Sequence, residues 1–392
     1  MVDPGSAQPS RSRTRLALAH DWLIGRRGGE AVLERFARIT LDDHEPADLY
    51  TLFDAGKPIF PAIDRFEKRV SWLNSIPLGS SKLRRWLLPL YPFGVRSLSE
   101  TLSFHHNRRQ LDLLISTSSG LIKGLEPPPG VPHLCYCHAP ARYLWSLQDE
   151  YTAGGGLAAT ARKLGFGLFT PWLKSWDRRT ASNVTRFIAN SSHIASEIRR
   201  CFDREADVLH PPVRTDWFKP SDAPRRDFWL VVSALEPYKR TDLAIRAAAK
   251  ARTKLVIAGT GTELASLKSL AADIAPDLVE FAGRVSDERL LELYRTARCL
   301  IFPQVEDFGI IAVEAQACGC PVVARRAGGS LDSVIENATG AFFEDPTPDA
   351  VADAASRIPE NADSACRTNA ERFSVERFDA RAREIIAEIL KN

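Results

Sequence analysis

Two glutamates with seven residues between them, Glu306 and Glu314, frame the segment Glu306-Asp307-Phe308-Gly309-Ile310-Ile311-Ala312-Val313-Glu314. Before it, the apolar run Arg298-Cys299-Leu300-Ile301 reads as a buried strand that ends at Phe302-Pro303. After Gly309, apolar residues at Ile310, Val313 and Ala317 keep helical spacing. That pattern places Glu306 on a strand-to-helix turn and Glu314 about two turns down the following helix. In an α/β sheet such a turn lies at the carboxyl edge, where ligands bind. A helix N-terminus beside Gly309 offers backbone N–H groups to an anion such as a nucleotide phosphate. Two carboxylates on that element are acceptors for sugar hydroxyls. A lone glutamate pair equally suits a capped surface helix, and the rest of the chain tips the balance.

Cations and glycines recur at other strand ends. Ser233-Ala234-Leu235-Glu236-Pro237-Tyr238-Lys239-Arg240 follows a strand and opens a helix at Thr241-Asp242, so Lys239 can reach phosphates at the sheet edge. Taken alone, Lys239 also reads as a solvated surface lysine. Gly259 and Gly261, in Ala258-Gly259-Thr260-Gly261-Thr262, let the backbone approach a ligand, or simply make a tight turn. Gly283-Arg284-Val285 ends another strand, where backbone groups can read a base edge. Near the amino terminus, Gly28-Gly29-Glu30 leaves room for phosphate against a helix N-terminus, and Ser116–Gly120 is a second polar strand end. His138, in Tyr136-Cys137-His138-Ala139-Pro140-Ala141-Arg142-Tyr143, stands at a strand edge and fits a structural role as well as a functional one.

These residues need a scaffold of about two domains, which 392 residues supply. Apolar content of 44% and charged content of 26% are those of a globular protein. A net charge of only +3 and the lack of a helical or zinc-type DNA-binding pattern argue against nucleic acid as a partner. No run reaches the length of a transmembrane helix, and residues 1–14 read as a disordered lead without a signal peptide's apolar stretch. Seven scattered cysteines suggest reduced cytosolic thiols; the one-residue spacing of Cys135/Cys137 and Cys318/Cys320 does not suit zinc. Asn183-Val184-Thr185 is a glycosylation sequon that matters only in a secreted chain.

Short apolar runs alternate with helical patterns in two series. Strands are expected at Arg15–His20, Leu111–Ser116, His133–Cys137 and Phe187–Ala189, then at Trp229–Ser233, Lys254–Ala258, Val279–Ala282, Cys299–Phe302 and Pro321–Ala324. Alternating strands and helices imply parallel sheets built from βαβ units. The proline- and charge-rich stretch from Pro211 to Arg226 is the expected linker.

Residues 65–98 carry a different signal. Arg65, Lys68, Arg69, Lys82, Arg84, Arg85 and Arg96 interleave with Trp72, Leu73, Ile76, Leu83, Trp86, Leu87, Leu88 and Tyr91, and Glu67 is the only carboxylate among those basic residues. The mixture suits an anionic membrane surface or lipid carrier, and equally a partly buried helical hairpin with a solvated basic face.

Taken together, these residues resemble the retaining family-4 glycosyltransferases, from about residue 15 to residue 390. The resemblance implies an α/β chain of the GT-B fold, two Rossmann-like domains facing a central cleft. Its domains would be an acceptor-binding domain at 15–215, a nucleotide-sugar-binding domain at 226–373 and a helix at 374–392 crossing back to the first. It assigns Glu306 to the donor sugar, Glu314 to the ribose, Lys239 to the diphosphate, Gly28 and Gly29 to the phosphate-facing loop and His138 to the transferred sugar. Lys239, Glu306 and His138 would serve catalysis. Ala234, Arg240, Gly259, Gly261, Arg284, Val285, Phe308, Gly309 and Ile310 would complete the donor site.

Ala234 departs from the pattern, since it stands about where the family often carries an arginine; Arg240 or Arg284 would then supply the second cation. Asn190-Ser191-Ser192 and His210-Pro211-Pro212-Val213 are also typical of the family. His20-Asp21-Trp22-Leu23 and Pro237-Tyr238-Lys239-Arg240-Thr241-Asp242-Leu243 are most similar to bacterial mannosyltransferase-like enzymes of polysaccharide assembly. The implied reaction moves a hexose, mannose favoured, from a nucleoside diphosphate sugar, GDP-mannose favoured, to a glycan or polyprenyl-diphosphate-linked acceptor. No Asp-x-Asp motif is placed to hold a metal across the diphosphate, so metal-free catalysis and no cofactor are expected. Attack would be same-face, without Glu306 as nucleophile, in the cytoplasm or on the inner face of the cell membrane. Rival readings are a sugar-nucleotide 2-epimerase, a glycosyl phosphorylase or a degenerate, non-catalytic subunit.

Overall fold

The computed structural model describes residues 13–26, 28–80, 84, 86–146, 157–222 and 224–391, the stretch 157–166 by its backbone alone. The chain divides into two compact units. The first comprises Met1–Ile188, Ile198–Asp207 and Ala382–Asn392; the second comprises Ala189–Glu197 and Val208–Arg381.

The first unit is built on seven strands: β1 (Arg15–Leu23), β2 (Glu45–Asp54), β3 (Lys68–Val70), β4 (Leu113–Ser118), β5 (His133–Cys137), β6 (Arg186–Ala189) and β7 (Ala206–Val208). Their order is β3-β2-β1-β4-β5-β6-β7, with β3/β2, β2/β1, β1/β4 and β4/β5 parallel. Leu16, Ala17, Leu18 and Ala19 of β1 are wholly buried, as a strand covered on both faces requires. The sheet grows first to one side of β1 and then to the other, so a topological switch point lies between β1 and β4.

The second unit repeats the plan with β8 (Phe228–Val232), β9 (Lys254–Ala258), β10 (Val279–Gly283), β11 (Cys299–Phe302), β12 (Val322–Arg325) and β13 (Gly340–Phe343). The order is β10-β9-β8-β11-β12-β13, all parallel, with a switch point between β8 and β11. One core lies around Phe302, Phe308, Val313 and Phe373, another around Leu243, Ile257, Ile301 and Val351.

One sequence expectation changes in this frame. Among the described residues of 65–98 there is no helical hairpin. They run through β3, 3-10 turns at Trp72–Ser75 and Leu88–Leu90, and into the helix Tyr91–Arg108. Lys82, Leu83 and Arg85 lie outside the described residues, as do residues 1–12 of the expected lead. The Pro211–Arg226 stretch is packed into the second unit. Phe218 is buried edge-on to Tyr294 at 5.8 Å, and the Arg225 guanidinium donates to Ala297 O at 2.8 Å.

Candidate active site

At the second switch point the loops leaving β8 and β11 meet through their side chains. Lys239 donates from Nζ to Glu306 Oε1, an ion pair whose two side chains are 12% and 15% exposed. Lys239 ends a 3-10 turn, Pro237–Lys239, and Arg240 then adopts a left-handed backbone (φ 52°) before the helix Thr241–Ala251. The Tyr238 ring supports the ammonium at 4.9 Å. Arg240 turns its guanidinium onto Asp242 at 3.2 Å, while the side chains of Ala234 and Arg284 are exposed.

Glu306 owes its place to glycines on either side. Gly309 has φ 87° and a Cβ there would lie 2.7 Å from the Phe302 ring, so no other residue fits without displacement. It caps the helix Ile310–Ala317. Glu314 is thus the fifth residue of that helix, just over one turn in rather than the two turns expected, since two turns is the span from Glu306 and not from the helix start at Ile310. The loop after β12 grips the Glu306 loop from behind. Gly329 N–H donates to Glu306 O at 2.9 Å, and a Cβ on Gly329 would overlap the Phe308 backbone.

Ser191 Oγ donates to Asp307 O, and the His210 ring stacks on Phe308 with centroids 5.3 Å apart. Phe308 turns its ring into the core against Phe373 at 5.5 Å. The Asn190–Ser192 and His210–Val213 stretches therefore brace the backbone that carries Glu306.

Glu314 is half-buried and accepts a hydrogen bond from the Tyr294 hydroxyl at 3.1 Å. Burial pushes its carboxyl up to about 7, with the Tyr294 bond and the charge of Arg214 opposing. Gly259 (φ 152°) and Gly261 are explained by packing: a Cβ on either would strike the Ser233–Leu235 backbone. Thr262 Oγ1 then donates to Glu236 at 2.7 Å, so this loop buttresses the turn bearing Lys239. Gly283, at φ 64°, accepts from Gly259 N–H at 2.7 Å, and Val285 packs partly against the core.

In the first unit, the Gly28-Gly29 loop opens the helix Gly28–Asp43 directly over two imidazoles. A Cβ on Gly29 would lie 3.5 Å from His20 Cε1 and 3.6 Å from His138 Nε2. His20 Nδ1 is 2.6 Å from Thr117 Oγ1, across the β1/β4 switch point. Desolvation lowers His20 to about 4 and His138 to about 3, so both rings are neutral at physiological pH. Asp21 accepts N–H bonds from Ser119, Gly120 and Ile122 at 2.7–2.9 Å and fixes the Ser116–Gly120 strand end. Its carboxyl is nonetheless raised, burial outweighing those bonds.

Sequence reasoning brought together Lys239, Glu306 and Gly309, and separately Gly29 and His138. It missed Tyr294, Gly328-Gly329 and the parts played by His20 and Asp21. The Gly-Gly pair after β12 and the His-Asp pair within β1 were the available signals. Among the described residues, no three or more His, Cys, Asp or Glu side chains gather as a metal cluster.

Residues 44–217 match the family model described as Glycosyltransferase Family 4, and residues 213–373 match Glycosyl transferases group 1. A D-inositol 3-phosphate glycosyltransferase of Acidothermus cellulolyticus is 34% identical over 202 residues, 44% of this chain and 45% of the relative. Its namesake in Mycolicibacterium smegmatis is 32% identical over 227 residues, 52% of each chain. The chain thus spans about half the length of the curated relatives it matches. Among solved structures, sucrose-phosphate synthase from Thermosynechococcus elongatus superposes with a TM-score of 0.73 at 18% identity, over 97% of this chain and all of the other. Anabaena Alr3699/HepE in complex with UDP gives 0.68 at 17% identity, over 96% and 100%. These likenesses establish the fold as GT-B.

Proposed function

We propose that this chain, a family-4 protein of the GT-B fold, moves a hexose from a nucleoside diphosphate sugar to a hydroxyl of a glycan or polyprenyl-diphosphate-linked acceptor. The observation that carries this reading is the Lys239–Glu306 pair at the β8/β11 switch point. Without donor the two charges satisfy each other. A diphosphate takes Glu306's place on Lys239 and releases the carboxylate to sugar hydroxyls. As the sugar–phosphate bond breaks, negative charge grows on the leaving diphosphate, and Lys239 and the helix N-terminus after Gly309 are positive poles for it. Glu314 takes the ribose hydroxyls.

The family resemblance assigns Gly28-Gly29 to the phosphates and His138 to the transferred sugar. The acceptor oxygen bonds to the anomeric carbon on the face the diphosphate leaves, and its proton passes to the departing phosphate oxygen. Configuration is retained, and no metal is required because Lys239 supplies the positive charge. GDP-mannose is the favoured donor on the family resemblance, and the favoured setting is polysaccharide assembly at the cytoplasmic face of the membrane.

The test is nucleoside diphosphate release from GDP-, UDP- and ADP-sugars with candidate acceptors. The panel includes D-inositol 3-phosphate because the relatives' names carry it. Transfer with retention, lost in Lys239→Met and kept in EDTA, supports the reading. A released epimer, phosphate-dependent cleavage or no turnover with any donor replaces it with one of the rival activities.

A further inference from the structure

The helix Ile310–Ala317 carries Gln316 two positions beyond Glu314, and Gln316 is wholly buried. The core around it is apolar: Val313, Ala315, Ala317, Val334, Ala370 and Phe373 belong to one cluster. Within that cluster Gln316 meets a second buried amide, Asn369 of the helix Asp363–Ala370. Asn369 Nδ2 donates to Gln316 Oε1 at 2.7 Å and to Ser333 O at 2.8 Å. Gln316 Nε2 donates to Ser333 O at 2.8 Å and to Ala312 O at 3.1 Å. The Arg372 guanidinium donates to Asn369 Oδ1 at 2.9 Å. Each amide N–H thus has an acceptor, and each amide oxygen a donor. Both orientations are fixed, because Ser333 O and Ala312 O are carbonyls that only accept.

Ser333 closes the short helix Ser330–Ser333 in the loop after β12. The start of that loop grips Glu306: Gly329 N–H donates to Glu306 O at 2.9 Å, and Ser333 Oγ donates back to Gly329 O at 3.4 Å. One carboxylate, Glu306, is therefore tied through Gly329 and Ser333 to the amide pair. The other, Glu314, rides on the helix that supplies Gln316. The helix Asp363–Ala370 grips that second helix again at its end, where Arg367 donates to Ala317 O at 3.2 Å. An apolar pair would fill the same volume without the desolvation of two amides. What the amides add is direction: a satisfied buried network admits one register between the elements it joins.

We propose that Gln316 and Asn369 are positioning residues for sugar transfer, their bonds to Ser333 O setting the offset between the Glu306 loop and the helix of Glu314. That offset fixes the span between the two carboxylates. A nucleotide sugar needs both at once, where a nucleoside diphosphate needs only Glu314. This role rests on the reading above, in which Glu306 holds the sugar and Glu314 the ribose.

The variants Gln316→Met and Asn369→Leu keep the side-chain bulk and remove the bonds; the parent and Glu306→Ala are measured beside them. Melting curves verify that each protein is folded. Asn369→Leu leaves Ser333 O its bond from Gln316 and so spares the fold most. Calorimetry without acceptor compares GDP with GDP-mannose and UDP with UDP-glucose, a ratio in which any change at the diphosphate cancels. In both network variants the ratio should move against the sugar nucleotide by roughly tenfold, as for one charge-assisted hydrogen bond, while the diphosphate binds as in the parent. Turnover should fall further, by about a hundredfold for a displacement on the order of 1 Å. The double variant should be no worse than the poorer single one, since the two amides act as a unit. A ratio unchanged in the network variants but lowered in Glu306→Ala overturns the inference and leaves the reading standing. So does equal weakening of both ligands, which would make the pair a support of the core alone. A ratio unchanged in Glu306→Ala as well removes Glu306 from the sugar, and the reading falls together with the inference.

Discussion

Tyr294 donates its hydroxyl to Glu314 at 3.1 Å from a ring that is itself wholly buried. The bond stabilises the ionised carboxylate while burial disfavours it, and burial prevails, leaving Glu314 at about 7. If the ionised carboxylate holds the ribose, donor affinity should rise as pH increases through about 7. Tyr294→Phe removes the opposing bond, so the midpoint should move upward. Calorimetric titration of a nucleoside diphosphate between about pH 6 and 8.5 in both proteins checks this, the window bracketing a raised carboxylate. A flat profile in the parent would remove Glu314 from the ribose site.

The same shift has a consequence for stability. Glu314 binds its proton more tightly in the folded chain than in the unfolded one. Its favourable contribution is present below the ordinary value of 4.5 and is lost as pH rises through about 7. Glu314→Gln removes that loss. The variant should melt at a higher temperature than the parent at alkaline pH and lose the advantage in mild acid, while donor affinity drops by roughly 1.5–3 kcal/mol for a charge-assisted bond. Calorimetric melts at both pH values decide it, and a variant less stable than the parent at alkaline pH would contradict the sign.

Lys239→Met leaves the diphosphate without its facing cation. Turnover should fall by roughly two orders of magnitude or more, as when a transition-state donor is removed. Glu306→Ala should lower turnover more than donor affinity. Single-turnover rates paired with inert-analogue binding separate the two effects. Metal-dependent activity in the parent would show that the leaving charge is met some other way.

Gly329→Ala should be far more damaging than Gly283→Ala, although both replace glycines at or beyond the carboxyl ends of strands. A methyl at Gly329 collides with the backbone of Asp307 and Phe308, whereas at Gly283 it meets open space and only the left-handed φ of 64° opposes it. The second change should cost about 1–2 kcal/mol. The first should cost more and also displace Glu306, seen as lost donor binding. Equal melting temperatures would mean the loop after β12 yields easily.

The strands at His133–Cys137, Lys254–Ala258 and Cys299–Phe302 were legible to the residue because continuous apolar runs mark strands buried on both faces. β2, Glu45–Asp54, was not, since Glu45-Pro46 and Asp48 break the apolar run before Leu49 and its neighbours become core. The local sequence around Glu306 announced a turn and a helix. What holds it, Gly329 from the next strand's loop and Ser191 from far upstream, depends on which strands are neighbours, and spacing along the chain does not carry that. Gly259 and Gly261 show the converse: their local signal was correct, but the backbone that needs their smallness is the Ser233–Leu235 segment.

Gly29→Ala offers the cleanest separation of function from fold. The new methyl would sit 3.5 Å from His20 and 3.6 Å from His138, ordinary contact distances, so it fits without displacing either ring. Gly29 lies in the first turn of the helix Gly28–Asp43, where alanine is intrinsically better than glycine by up to about 1 kcal/mol. Melting temperature should therefore hold or rise slightly. If the loop cradles phosphates above His138, the methyl occupies the space a ligand's oxygens need, and turnover should fall at least tenfold, about 1.4 kcal/mol in the barrier. His138→Ala, which removes the ring and leaves the loop, should lower turnover without the accompanying rise in stability. A fully active Gly29→Ala protein would assign this glycine to chain entry into the helix and take the phosphates elsewhere.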